Sequence, residues 1–67
     1  MNDSDYVNFS QDHELNHHLK KVNKRQTQEN RNELKKMGDE LKKSTGKTRI
    51  KHGEFNRYIR NNLYRLD

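Results

Sequence analysis

The fold of this chain is decided by the stretch from Gln11 to Lys43, which reads QDHELNHHLKKVNKRQTQENRNELKKMGDELKK. Apolar or neutral residues recur along it in steps of three and four, a spacing that keeps them on one stripe of a helix. This stripe consists of Leu15, Leu19, Val22, Gln26, Asn30, Leu34, Met37 and Leu41. Neither Gly nor Pro occurs between Ser10 and Met37, so the pattern predicts one long helix over about Gln11 to Lys43.

The centre of the stripe is polar, because Gln26 and Asn30 occupy it. Two arrangements accommodate such a centre. In the first, a continuous helix pairs with another helix and uses the polar residues to set the register. In the second, the chain turns between Gln28 and Asn32 into a helical hairpin. Because no Gly or Pro stands at that point, we favour the continuous helix.

Both ends of the predicted helix carry suitable residues. Ser10 or Asp12 can cap its start. Lys42 and Lys43 lie in its last turn, where cations interact favourably with the helix dipole. Gly46 is a suitable C-terminal stop.

Downstream, Ser44 to Gly53 has the composition of a loop, with two Gly, one Ser, two Thr and alternating Lys and Arg. Glu54 to Leu66 predicts a second helix, because apolar residues again recur at helical spacing. They are Phe55, Ile59, Leu63 and Leu66, with Tyr58 alongside. We expect this helix to fold back on Leu34, Met37 and Leu41. The predicted fold is therefore all-α, with a long N-terminal helix and a shorter C-terminal helix joined by a basic loop, as a small helical bundle or a helical dimer.

The lengths of the two helices predict an oligomer. A helix of about 33 residues extends for about 50 Å and the shorter one for about 20 Å, at a rise of about 1.5 Å per residue. Half of the long stripe is then uncovered, and we expect it to pair with a second copy of the chain. The helix-pairing residues are Leu15, Leu19, Val22, Leu34, Met37 and Leu41.

Charge divides the chain unevenly. Residues 1–19 contain four acids and no Lys or Arg, whereas residues 20–67 contain all fifteen Lys and Arg against six acids, so the two parts carry −4 and +9. We interpret residues 1–10 as a flexible or loosely docked acidic arm and residues 11–67 as a single small helical domain. A basic body of this kind suits a polyanionic partner. The alternative is that the charge only keeps a small helical protein soluble.

The segment from Lys42 to Arg65 is the most informative about function. It contains eight Lys and Arg and one acid, Glu54. Cations in loops hold phosphates, and Arg and Asn match the hydrogen-bonding edges of guanine and adenine in a major groove. The candidate contacts are Lys42, Lys43, Lys47, Arg49, Lys51, Arg57, Arg60, Asn61 and Arg65. Tyr58 and Tyr64 are candidates for stacking on bases.

One motif has the form of a zinc-protease signature, since residues 13–17 read HELNH. On a helix, His13 and His17 face away from the core side that Leu15 and Leu19 define, and a chain of 67 residues is too short to supply a substrate-binding sheet as well. The chain also lacks cysteine and any Ser-His-Asp or paired-carboxylate pattern. We therefore predict no enzymatic activity, no catalytic residue, no metal and no other cofactor.

Two classes of function fit these observations. The first is a small nucleic-acid-binding or transcription-associated regulator that acts on DNA. The alternative is a helical adaptor or inhibitor that docks on a larger protein through its apolar stripe. Because no apolar run approaches the length of a membrane span and the first ten residues are polar and acidic, we expect a cytoplasmic protein without membrane contact. A small-molecule substrate is not expected, since so short a chain cannot enclose a pocket of a few hundred Å³.

Overall fold

The computed structural model describes residues 6–67, and over that range the protein is all-α. The elements in chain order are α1 (Asp12–Lys21), α2 (Gln28–Thr45), α3 (His52–Asn61) and a 3-10 turn at Leu63–Arg65. The described part measures 31 × 22 × 17 Å along its principal axes. Residues 1–5, half of the predicted acidic arm, lie outside the described residues.

The prediction of one continuous helix over Gln11 to Lys43 is wrong, because the chain reverses at the end of α1. Asn23 adopts the left-handed backbone conformation, with φ of 58°. Its N–H donates to the Lys20 carbonyl at 3.1 Å, and the Lys24 N–H donates to the Leu19 carbonyl at 2.9 Å. This pair of hydrogen bonds is a Schellman ending, in which Asn is the usual substitute for Gly. A search for Gly and Pro alone overlooks it.

Six residues, 22–27, connect α1 to α2, so the chain turns upstream of the alternative hairpin turn at Gln28 to Asn32. Thr27 caps α2, since its hydroxyl accepts the Asn30 N–H at 3.1 Å. Asn30 is only 3% exposed. Its side-chain amide donates to the Arg25 carbonyl at 2.7 Å, and its side-chain oxygen accepts the Asp67 N–H at 3.1 Å. The polar centre of the stripe thus closes a turn within one chain.

The remaining helix ends follow the sequence more closely. Gly46 caps α2 at its C-terminus in the left-handed conformation, with φ of 70°, as predicted. The prediction that Ser10 or Asp12 caps the start of α1 is wrong, because Gln11 stands at the N-cap position and makes no side-chain cap, and Asp12 is the first helical residue. The C-terminal helix begins at His52 and ends at Asn61, after which a single 3-10 turn replaces the predicted last turn.

The core draws on every described segment of the chain. Its buried apolar residues are Val7, Leu15, Leu19, Leu34, Met37, Ile50, Phe55, Ile59 and Leu66. Phe9, Val22, Leu41, Tyr58 and Leu63 are partly buried against it. Four of the six predicted helix-pairing residues, Leu15, Leu19, Leu34 and Met37, are therefore buried within one chain, and Val22 and Leu41 are partly buried. The uncovered stripe from which we predicted an oligomer is absent from residues 6–67.

The described half of the predicted arm is docked on the body. Val7 is 9% exposed, and its N–H donates to the Ile50 carbonyl at 2.9 Å. Tyr6 forms an isolated antiparallel bridge with Lys51. These contacts hold the arm against the loop that precedes α3. The Ile50 side chain of that loop is buried in the core.

Phe9 occupies the space that the missing side chain of Gly38 leaves on α2. A Cβ built on Gly38 would lie 2.4 Å from the Phe9 Cζ atom. The Phe9 ring meets the Phe55 ring edge to face at 5.0 Å, and the Lys42 ammonium lies 4.9 Å from its centroid. Gly38 therefore lets the arm approach the helix backbone closely.

None of the helices in residues 6–67 combines the length and the apolar character that crossing a membrane requires.

We expect Gly38→Ala to lower the free energy of unfolding. Ala improves helix propensity by about 1 kcal/mol, but overpacking against the wedged Phe9 ring costs up to about 3 kcal/mol. Urea unfolding followed by circular dichroism measures the difference. The control is Gly53→Ala in α3, where an added Cβ meets nothing within 4 Å and no loss is expected. Equal stability of the two variants would contradict this account of Phe9.

Candidate nucleic-acid interface

One face of α3 presents polar side chains that were predicted to contact nucleic acid. Arg57, Arg60 and Asn61 are exposed, whereas Phe55 and Ile59 are fully buried in the core. Burial of these two apolar residues fixes the rotation of α3 about its axis. The spacing of three and four residues places the three polar side chains on one side of it.

The loop before α3 supplies a second group of cations. Because Ile50 is buried, its neighbours Arg49 and Lys51 lie at the surface, and both are exposed. The Arg49 guanidinium lies 5.4 Å from the centroid of the Tyr6 ring. Lys47 pairs with a carboxylate, since its ammonium lies 3.0 Å from the Glu54 Oε2 atom.

Two grooves meet at Tyr6 and Arg49. One has a volume of about 420 Å³, and its lining includes Lys47 and Lys51. The other has a volume of about 340 Å³, and its lining includes Lys42. Four cations from the end of α2 and from the loop thus line two grooves that share Tyr6. No sequence signal places Tyr6 here, because it lies more than thirty residues away from Lys42 and is brought in by the docked arm.

A third groove, of about 270 Å³, adjoins the first. Its lining includes Arg57 and Asn61 together with Glu54, which also lines the groove at the loop. Glu54 therefore marks the boundary between the loop cations and the α3 face. We use "basic surface" for the residues on both sides of it: Lys42, Lys47, Arg49, Lys51, Arg57 and Asn61. Lys43, in the last turn of α2, and Arg60 are exposed as well.

Glu54 is the acidic residue that lies between the two parts of the basic surface. The hydrogen bond from Lys47 holds the pKa of its carboxyl below the ordinary value, with smaller contributions from the Lys51 backbone and from the charges of Lys47 and Lys51; burial opposes them. Glu54 is therefore an anion at neutral pH, and it neutralises part of the charge that Lys47 brings to this surface.

The Arg65 side chain forms hydrogen bonds within the fold and does not extend freely into solvent. Its Nε donates to Glu33 at 2.7 Å, and its two Nη groups donate to the two oxygens of Glu40 at 2.7 and 2.9 Å. Nη2 also pairs with Glu33. These bonds fasten the C-terminal turn to α2. Arg65 was predicted to contact nucleic acid, and the structure instead engages its guanidinium with two carboxylates.

The two candidate stacking residues differ in exposure. Tyr64 is 83% exposed in the 3-10 turn that follows α3. Tyr58 is partly buried against the core, and its hydroxyl donates to the Glu40 Oε1 atom at 2.8 Å. That hydrogen bond raises the pKa of Tyr58. Tyr64 is therefore the more accessible of the two rings, whereas Tyr58 lines the groove beside Arg57.

The residues of the HELNH motif lie on α1, whereas the residues of the basic surface lie on α2, on α3 and in the loop between them. His13 and His17 are exposed on α1 and line a groove of about 360 Å³ together with Glu14 and His52. In residues 6–67, no three His, Asp or Glu side chains are arranged to hold a metal ion. His18, to which the sequence assigned no role, is fully buried.

No family model, curated protein or solved structure matches this chain.

We expect stability at acid pH to depend on Arg65. Its hydrogen bonds, followed by that of Tyr58, lower the pKa of Glu40 from 4.5 to about 2. A carboxyl whose pKa is lower in the folded protein stabilises the fold above the unfolded value, and that contribution disappears as the pH falls from about 4.5 to 2. Urea unfolding at pH 7, 4.5 and 2.5 should therefore show a smaller acid loss for Arg65→Gln than for the wild type.

The matched control is Arg25→Gln, which removes the same charge from an exposed side chain in the turn before α2. Its acid loss should equal that of the wild type. If Arg65→Gln retains the full loss, the carboxylate pairs of Arg65 do not couple to folding.

Proposed function

We propose that this protein binds duplex DNA, with α3 facing the bases and the loop between α2 and α3 contacting phosphates. The observation that carries the proposal is the basic surface. Its cations come from the end of α2, the loop and α3, and they line three neighbouring grooves. Phosphate contacts supply most of the affinity of DNA-binding proteins, because cations release the counterions that surround the duplex.

The dimensions of α3 agree with this placement. A helix of ten residues is about 15 Å long, and a major groove about 12 Å wide admits an α-helix. Arg57 and Arg60 have the geometry to bind guanine, and Asn61 has the geometry to bind adenine. The exposed Tyr64 ring lies just beyond α3, where it can pack against a sugar or a base.

The alternative, an adaptor docking through its apolar stripe, has less support. Leu15, Leu19, Leu34 and Met37 have no exposed surface, because they form the core of a single chain. Among residues 6–67, Tyr64 is the exposed large hydrophobic residue. An isolated exposed aromatic is common on soluble proteins and does not make an apolar docking face.

The proposal is tested by titrating a labelled duplex at two salt concentrations. We expect binding at low salt that weakens steeply as the salt concentration rises. Lys51→Ala should weaken binding to all duplexes alike and lower the slope of log affinity against log salt by about one. Lys20→Ala removes the same charge from the exposed face of α1 and serves as the control. If no duplex binds at low salt, or if the two variants behave alike, the proposal fails.

Arg60→Ala should act differently from Lys51→Ala, because a residue that contacts bases carries sequence preference. On a preferred site we expect a loss of about 1–3 kcal/mol and a relaxed preference at one base pair. Selection from a randomised duplex pool identifies the site, and competition with single-base variants measures the preference. An equal loss on every sequence would assign Arg60 to a phosphate instead.

Glu54→Gln should tighten binding to duplexes of any sequence. The change removes the anion between the two parts of the basic surface and frees Lys47, which lies 3.0 Å from it, to contact a phosphate. One more phosphate contact raises the salt slope by about one. Asp39→Asn, on the exposed side of α2, makes the same charge change elsewhere and should leave the slope unchanged. Weaker binding of Glu54→Gln would contradict the assigned role of Lys47.

A further inference from the structure

Two imidazoles form a hydrogen bond between α1 and α3. His18 on α1 is fully buried, and its Nε2 lies 2.9 Å from the Nδ1 of His52, the first residue of α3. The two rings are nearly parallel, with an interplanar angle of 15° and centroids 5.1 Å apart. The edge of the His18 ring also meets Phe55 at 5.1 Å and 77°. The contacts between α3 and α1 thus include one shared hydrogen bond and one aromatic contact.

A carboxylate sets the direction of that hydrogen bond. The His52 Nε2 lies 3.5 Å from the Glu14 Oε1 atom, which favours a proton on this nitrogen. The His52 Nδ1 is then an acceptor, and His18 donates to it. The His18 Nδ1 is buried and has no hydrogen-bond partner. In the neutral pair it is an unprotonated acceptor, a cheaper group to leave without a partner than an N–H.

The pair has no favourable place for a further proton. A proton on the His18 Nδ1 creates a buried N–H without an acceptor. A proton on the His52 Nδ1 points at the Nε2–H of His18, unless His18 moves its own proton to the same buried Nδ1. Two protonated rings direct N–H groups at each other. Separation of the rings, by contrast, exposes every nitrogen to water.

Some of the surrounding charges lower the pKa of His18, and one raises it. The groups that act on the His18 ring are His52 on α3 and, on α1, Lys21, His17 and Glu14. Glu14, which also accepts the Asn8 N–H of the arm at 3.1 Å, favours protonation. Burial first, and then the other three groups, lower the pKa of His18 from 6.5 to about 4.

We infer that the His18–His52 pair is a pH-operated latch, which holds the start of α3 against α1 at neutral pH and releases it at mildly acidic pH, where opening lets the buried His18 ring take up a proton. Helix α3 also packs against α2 and the core, so release of the pair opens the start of the helix first. Because the start of α3 directly follows Lys51, its release also changes the position of the preceding loop relative to α3. The inference rests on the contacts of the two rings and does not require DNA binding.

Equilibrium unfolding in urea between pH 7.5 and 5.0 tests the latch. A base whose pKa is lower in the folded protein loses stabilisation as the pH falls below its unfolded value. With values of 6.5 unfolded and about 4 folded, His18 alone should lower the ratio of folded to unfolded protein about thirtyfold over this range. His18→Phe keeps a ring against Phe55 and should flatten the profile. His13→Gln, an exposed histidine of the same helix, should leave the profile of the wild type unchanged.

A second variant decides the matter if His18→Phe does not fold. His52→Gln keeps a hydrogen-bond acceptor for His18 and removes the second ring, so it should reduce the pH dependence. A flat wild-type profile, an unchanged profile in His18→Phe, or an unchanged profile in His52→Gln would each overturn the latch.

Amide hydrogen exchange, corrected for the intrinsic effect of pH, tests whether the opening is local. At pH 5.0 the Phe55 N–H, which donates to the Lys51 carbonyl at 3.0 Å, should lose more protection than the amides in the middle of α2. Equal loss of protection in all helices would describe uniform destabilisation and would overturn the latch.

Discussion

The left-handed conformation of Asn23 is the constraint on which the rest of the structure depends. It ends α1 with two hydrogen bonds and turns the chain so that α2 runs back along α1. Without this reversal, Leu19 and Leu34 would lie on one rod, with no partner surface inside the chain. With it, both residues enter the same core. A short chain that is 25% hydrophobic can then bury its stripe without a second copy.

Asn30 connects the turn between α1 and α2 to the C-terminal residues of the chain. Its amide group closes the turn through the Arg25 carbonyl and holds the backbone of Asp67, so that the last residues lie along α2. This placement brings Arg65 to Glu33 and Glu40. A buried polar side chain of this kind is tolerated because its hydrogen-bonding groups find partners in the fold.

The cations of the described fold have different roles. Arg31 donates to Asn16 on α1 and to the Gln26 carbonyl of the turn, so its charge serves the packing of α1 against α2. Arg65 acts in the same way at the C-terminal turn. The cations of the basic surface remain at the surface around α3. The net charge of +5 is therefore a poor guide to the charge that a polyanion would meet.

The sequence by itself determined the all-α class, the apolar face of the C-terminal helix and the end of α2 at Gly46. These features are local, because side chains three and four residues apart share a helix face and Gly readily adopts a positive φ. The break of the long stripe at Asn23 is local as well, but a search for Gly and Pro alone overlooks it. Only the tertiary structure decided which cations are engaged and how His18 is used. The bonds that decide them join residues far apart in the chain, such as His18 to His52 and Glu33 to Arg65. Tyr6 reaches Arg49 in the same way. No periodic pattern encodes such pairs, since they depend on the direction in which each turn sends the chain.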